Sequence, residues 1–153
     1  MQKAIFNIQN ETDFERCALQ VFKYQFQNNK VYRSFCDLLY IHPSDVKEVT
    51  QIPFLPIQFF KTHQVLSTNQ SVQETFTSSG TTGAQVSKHL VADLSWYETS
   101  YTRAFEHFYG SVKDYTVLGL LPNYLEREGS SLIYMVNDFI HKSNNPKSGF
   151  YLD

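Results

Sequence analysis

Residues 77–83 read Thr-Ser-Ser-Gly-Thr-Thr-Gly, and such a run cannot help to build a core. Seven consecutive residues carry five hydroxyls, two glycines and no bulky side chain. Any fold for this chain must therefore present the segment as a loop between elements that bury their own apolar residues. The chemistry of the run suits an anion. Glycines let backbone N–H groups turn inward and approach closely, and Ser and Thr hydroxyls add movable donors. Lys88, a few residues downstream, supplies a full positive charge. We read the segment as a loop that holds the phosphates of a nucleotide.

The flanking sequence predicts what this loop connects. Val72 to Thr77 has strand character on one side, and Ser87 to Val91 on the other. Upstream, Thr12-Asp13-Phe14-Glu15 has the form of a capping box, and helical spacing follows over about Asp13 to Gln27. A second helix is predicted from Lys30 to Tyr40, a short one from Ser44 to Lys47, one helical turn over Gln58 to Lys61, and a short strand over Val65 to Ser67. Ile52-Pro53-Phe54-Leu55-Pro56-Ile57 is apolar, but its two prolines make it an extended packing segment rather than a central strand. Downstream, Asp93 caps a helix whose apolar face is Leu94, Tyr97, Tyr101, Ala104, Phe105 and Phe108, and Gly110 ends it. Tyr115 to Leu121 reads as a buried strand stopped by Pro122, followed by a polar loop over Asn123 to Gly129. A last amphipathic helix runs from Ser130 to His141, with Leu132, Ile133, Met135, Val136, Phe139 and Ile140 on its apolar side. Residues 142–149 read as a linker-like tail, and Phe150-Tyr151-Leu152 as the start of a further strand. The expected fold class is α/β: N-terminal helices, then a small mixed sheet flanked by helices.

Composition narrows the classes of function. A chain of 153 residues suffices for one domain with its own core, and 1–153 is read as a single domain. The formal net charge of −2 gives no basic excess, so no nucleic-acid partner is expected. No apolar run approaches the ~20 residues of a membrane span, and the N-terminus lacks a signal-peptide pattern. Cys17 and Cys36 are isolated, without CxxC spacing, and read as packing residues in a reduced, cytoplasmic setting. The five histidines, His42, His63, His89, His107 and His141, show no metal-ligand spacing. Thirteen Phe and ten Tyr are many for this length; they suit a core of large side chains or an apolar surface for an acyl substrate or a partner.

Two common phosphate loops do not fit. Gly83 is followed by Ala84-Gln85-Val86-Ser87-Lys88, so the Gly-x-x-x-x-Gly-Lys-[Ser/Thr] pattern of triphosphatases is absent, as is Gly-x-Gly-x-x-Gly. Ser78, Ser79, Gly80, Thr81, Thr82 and Gly83 instead match, position by position, the signature loop of the adenylate-forming superfamily. The usual Pro-Lys after the last glycine is missing, and the lysine comes two positions later, as Lys88. With Phe76 to Gly83 followed by Ser87-Lys88-His89, with Ile52 to Lys61 upstream, and with Leu120 to Ser131 downstream, the chain resembles the acyl-protein synthetases of the LuxE-like family.

That resemblance implies a partial adenylate-forming N-terminal domain and ATP-dependent activation of a carboxylic, fatty acid as acyl-adenylate, with transfer to a thiol acceptor or acyl carrier. It implies that Ser78, Ser79, Gly80, Thr81, Thr82, Gly83 and Lys88 grip the β- and γ-phosphates of ATP. Tyr124, Glu126 and Arg127, after the predicted strand end, would help to shape the acyl pocket. Magnesium is implied as well, with ligands that lie outside this sequence. The adenine, ribose and catalytic-lysine segments of such enzymes are not found in residues 1–153, which are expected to be an N-terminal fragment of a larger, acyl-adenylating enzyme and inactive alone. The alternative is a non-catalytic binding or assembly module that keeps the fold, associating as a homodimer through an exposed apolar edge.

Overall fold

The computed structural model describes residues 2–78, 85–121 and 129–152. They form two compact units, Met1–Ser71 and Val72–Asp153. The α/β class holds, with helices first and strands and helices after them.

In the first unit a short α1 (Gln2–Ile5) precedes two longer helices, α2 (Glu11–Asn28) and α3 (Lys30–Leu38). The helix predicted from Asp13 begins two residues earlier, because Asn10 rather than Thr12 is the cap: its side chain accepts from the Asp13 N–H. Asn caps at least as well as Thr, and this start sets Glu11 and Asp13 in the first turn against the helix dipole. Asn29 forms the corner between α2 and α3. Its N–H donates to Gln25 O at 2.8 Å, and its Oδ1 accepts from Tyr32 N–H at 3.1 Å, so one buried residue ends one helix and starts the next.

The core of this unit is Phe22, Phe26, Tyr32, Cys36 and Val46. The Tyr32 hydroxyl donates to Pro53 O at 2.7 Å and fastens the extended proline segment to α3. No helix forms over Ser44 to Lys47: Asp45 N–H closes a turn on His42 O, and the helical turn falls instead at a 3-10 segment, Val49–Gln51, boxed by Glu48 and Gln51. The strand expected over Val65 to Ser67 is also absent. Ser67 is held by side chains of α2 and the corner, donating from its hydroxyl to Gln25 and accepting from Asn29 and Tyr24, so no ladder is needed there. The predicted turn near Lys61 is α4 (Phe59–Thr62).

Helix α3 ends in a Schellman motif, in which Ile41 N–H donates to Cys36 O at 3.0 Å and Tyr40 N–H to Asp37 O at 3.1 Å. Tyr40 therefore occupies a left-handed position, φ 55, where glycine is favoured, and its side chain is 95% exposed. An L-residue there costs about 1–2 kcal/mol, against about 0.5–1 kcal/mol of extra chain entropy lost by glycine. Tyr40→Gly is thus expected to raise stability by up to ~1 kcal/mol, read as a higher midpoint in urea denaturation. A lower midpoint would contradict this account of the helix end.

In the second unit β1 (Glu74–Thr77) pairs antiparallel with β2 (Lys88–Val91). Helix α5 (Leu94–Tyr109) follows, capped by Asp93 and stopped by Gly110 at φ 80, as the sequence predicts. A 3-10 turn (Val112–Asp114) leads to β3 (Leu118–Gly119), then α6 (Ser131–Ser143) and β4 (Gly149–Phe150), which pairs parallel with β3. Among the described residues the strands make two small sheets, one antiparallel and one parallel, rather than a single mixed one.

The strand predicted from Tyr115 to Leu121 shrinks to two residues, and its N-terminal end is engaged elsewhere. Tyr115 N–H closes the 3-10 turn on Val112 O, and Val117 N–H donates to Ser148 Oγ. Residues 142–149, linker-like in composition, are tied down at several points. Ser143 donates from its hydroxyl to Ile140 O, and Asn145 Nδ2 donates to Thr116 Oγ1 at 2.9 Å. Gly119 has no room for a side chain: a Cβ there would meet the Phe150 ring at 2.9 Å and Val136 at 3.2 Å.

Tyr101, Val112 and Phe139 form the core of this unit, with Tyr97, Phe105, Val117, Tyr134 and Met135 around it. Three residues assigned to apolar faces are not there: Ala104, Phe108 and Leu132 are exposed. The Tyr101 hydroxyl donates to Asp138 Oδ2 at 2.6 Å, and the Tyr97 hydroxyl to Ser131 O at 2.9 Å, so α5 and α6 are joined by polar as well as apolar contacts. Burial pushes the Tyr101 phenol up from its ordinary 10.0, and the neighbouring Asp138 and Glu98 carboxylates push it further. Burial raises Tyr97 as well. A tyrosine whose folded pKa lies above its unfolded value binds its proton more tightly in the native state. Its stabilisation is present below pH ~10 and is lost as pH rises beyond. Urea midpoints are therefore expected to fall above pH ~10, and less steeply in Tyr101→Phe; equal slopes would contradict the assignment.

Candidate functional site

The register of β1 and β2 builds the site. Thr77 is the Cα partner of Lys88, and Phe76 of His89. Directly opposed residues of an antiparallel pair share a face, so Thr77 and Lys88 lie on one face and Phe76 and His89 on the other. Phe76 is buried against Tyr97 and Tyr134, at 5.2 and 5.6 Å between ring centroids. Lys88 is exposed on the face opposite that packing. His89, the next residue along β2, is therefore on the other face from Lys88.

One residue beyond Thr77, the loop is closed at its base. Ser78 N–H donates to Ser87 O at 3.1 Å, and Ser87 N–H donates to Ser78 Oγ at 3.0 Å. The Ser78 oxygen thus accepts a bond that narrows the loop mouth, while its own O–H proton stays available as a donor. Thr77 donates from the other edge of β1, to Gly129 O at 2.8 Å. Of the sequence-predicted residues, Ser78 and Lys88 both lie at the loop end of the strand pair, Ser78 opposite Ser87 and Lys88 opposite Thr77; Ser79, Gly80, Thr81, Thr82 and Gly83 lie outside the described residues, as do Tyr124, Glu126 and Arg127. Sequence reasoning missed Ser87 and Gly129. Ser87 was within reach, as the register partner of Ser78 once the strands are drawn. Gly129 was not, because its partner is distant in sequence.

The mouth presents the Ser78 hydroxyl proton, with the Ser78 and Ser87 amides engaged across the strands and Lys88 at the first ladder position behind them. It does not offer a metal cage: among the described residues no group of three or more His, Cys, Asp or Glu gathers to hold an ion. The two cysteines are free and buried, Cys36 at 0% exposure, and burial raises the Cys36 thiol above its usual range. Such a thiol is a poor nucleophile. An open groove of about 360 Å³ lies along α5 and the end of α6, lined by Glu98, Arg103, Glu106 and Lys142 among others. None of the sequence-predicted site residues lines it, and Glu98 and Lys142 are already bonded to Tyr134 and Asp138. No helix among the described residues is long and apolar enough to cross a membrane.

Comparison with known proteins bears on the same segment. The family of acyl-protein synthetases, LuxE, matches over residues 4–106, a stretch that includes β1, the loop and Lys88. Over 69 residues the chain is 36% identical to a long-chain-fatty-acid–luciferin-component ligase of Vibrio harveyi, covering 44% of this chain and 18% of that protein. Over 70 residues it is 29% identical to the protein of the same description from Photorhabdus luminescens, covering 45% of this chain and 60% of that one. The matches thus span 60% or less of these curated relatives. No solved structure matches. With a family match over about two thirds of its length, centred on the helices, strands and loop mouth described above, the chain belongs to the LuxE family of acyl-protein synthetases.

Proposed function

We propose that this chain supplies the ATP-phosphate grip for activation of a fatty or other carboxylic acid as acyl-adenylate, with later transfer to a thiol acceptor or acyl carrier. The observation that carries the reading is the loop mouth: Lys88 opposite Thr77, with Ser78 and Ser87 closing the base. In the reaction the acid's carboxylate oxygen attacks the α-phosphorus of ATP. The bond from that phosphorus to the β-bridging oxygen breaks, and pyrophosphate leaves with the electron pair. Ser79, Thr81 and Thr82 would donate to the β- and γ-oxygens, Gly80 and Gly83 would let backbone amides approach, and Lys88 would offset the charge on the departing pyrophosphate. Tyr124, Glu126 and Arg127 would border the acyl chain. Magnesium would add charge neutralisation when bound with ATP. Buried Cys17 and Cys36 are not proposed as acyl carriers.

The chain spans 60% or less of its curated relatives' length, and residues 1–153 alone are proposed to bind MgATP weakly without turning it over. The test is carboxylate-dependent exchange of labelled pyrophosphate into ATP by the complete gene product. Exchange that depends on a fatty acid and falls in Thr81→Ala supports the reading. No exchange with any acid sinks it.

A second reading, a non-catalytic module that self-associates, is favoured by the exposed Leu118, Leu120, Tyr151 and Leu152 around the parallel strand pair. Sedimentation equilibrium of the chain as a monomer would remove it.

A further inference from the structure

Gly129 stands where two of the segments named above meet. Ser78 donates toward β2, so by strand alternation Thr77 turns its N–H to the other edge of β1, and Gly129 O accepts it at 2.8 Å. Gly129 has φ 78, a value that L-residues rarely adopt. A Cβ at this position would lie 3.0 Å from Thr77 Oγ1 and 3.4 Å from Thr75 O. Both the backbone angle and the close approach therefore require glycine. Its neighbour Ser130 is the N-cap of α6, with its side chain accepting from Ile133 N–H, and Tyr134 one turn on packs against Phe76 of β1. The last strand residue before the loop mouth is thus held on one edge by β2 and on the other by the entry to α6. In sequence, that entry follows directly on the segment carrying Tyr124, Glu126 and Arg127.

We propose that Gly129 is a positioning residue that fixes the base of the phosphate loop and couples its occupancy to the entry of α6. The coupling rests on the phosphate-loop reading above; the tie itself rests on geometry alone. One hydrogen bond to a glycine of fixed backbone angle links Thr77 to Gly129, so a ligand that displaces the loop base is expected to shift the α6 cap with it.

Amide exchange and NMR shifts of the 153-residue chain test both parts. Gly129→Ala is expected to speed exchange at Thr77 and Ser78 by roughly 10-fold or more while leaving the core amides of α5 unchanged. Adding Thr77→Ala to that variant, which removes the opposing hydroxyl and methyl, is expected to slow it again. In the wild-type chain, pyrophosphate is expected to shift the Thr77 and Ser78 amides together with those of Gly129, Ser130 and Ile133. In Gly129→Ala the second set should no longer respond. Unchanged exchange in Gly129→Ala would overturn the tie. Shifts at Thr77 and Ser78 without any at Gly129 to Ile133 would overturn the coupling and leave the phosphate reading standing. No shift at either place at ~10 mM pyrophosphate, far above the concentration a working phosphate site needs, would overturn the phosphate reading and the coupling with it. If Gly129→Ala does not fold, the wild-type titration still decides the coupling.

Discussion

Replacing Phe139 by alanine is expected to destabilise the protein by about 3–5 kcal/mol, the largest effect of any single substitution considered for this fold. Phe139 sits on the inner face of α6, only 7% exposed. Its ring meets Tyr101 edge-on at 5.1 Å and Phe105 at 5.0 Å, both on α5. Removing it leaves a void between two helices that are also tied by hydrogen bonds, Tyr101 to Asp138, Tyr97 to Ser131 and Tyr134 to Glu98. Those bonds fix the helix spacing, so the void cannot readily collapse, and a cavity term adds to the lost transfer energy. Domains of this size hold only about 5–15 kcal/mol in total, so the melting temperature should drop by roughly 10 °C. Phe108→Ala is the control. The same side chain on the same helix pair is 76% exposed there, and the change should stay within about 0.5 kcal/mol. Similar losses from both variants in thermal melts would mean that the α5–α6 packing is not the core of the second unit.

The second large effect concerns the loop mouth. Lys88→Ala is expected to weaken binding of MgATP by roughly 5- to 30-fold, the equivalent of about 1–2 kcal/mol. A charge-assisted bond to phosphate is worth about 1.5–3 kcal/mol, and the lower part of that range applies because Lys88 is exposed in the free chain. Stability should hardly change, since the residue is exposed. Lys88→Arg should retain much of the affinity, since it keeps the charge at the same ladder position. Calorimetric titration of the three proteins measures this. Equal affinities would remove Lys88 from the site and leave the loop without its cation.

Several features were legible in the residues because they are local. Asp93, Gly110 and Ser130 bound their helices as the sequence predicts, since a cap depends on three or four neighbouring positions. The strand character of Val72 to Thr77 and of Ser87 to Val91 marked β1 and β2, and with them the loop. What went unread depends on partners distant in sequence. The start of α2 is the exception, because Asn10 and Thr12 both qualify locally and Asn10 takes the cap. Ser67 has strand-like neighbours, but its hydroxyl is claimed by Gln25 and Asn29 of the helical corner. Tyr115 to Leu121 has the composition of a strand, yet a ladder also needs a partner, and β4 supplies two residues. Phe108 fits the periodicity of α5 but falls past the end of the surface that α6 covers. The Thr77–Gly129 bond is the extreme case. Gly129 reads as the close of a polar loop until β1 is placed beside it.

The central claim, that the Ser78–Lys88 mouth holds the phosphates of ATP, is most directly tested by following the backbone amides of the chain while MgATP, pyrophosphate and adenosine are titrated in turn. The account predicts that MgATP and pyrophosphate perturb the same amides, concentrated at Ser78, Ser87 and Lys88, and that adenosine leaves those amides unmoved. If adenosine shifted them as much as MgATP did, or if no anion shifted them at all, the phosphate loop would be contradicted.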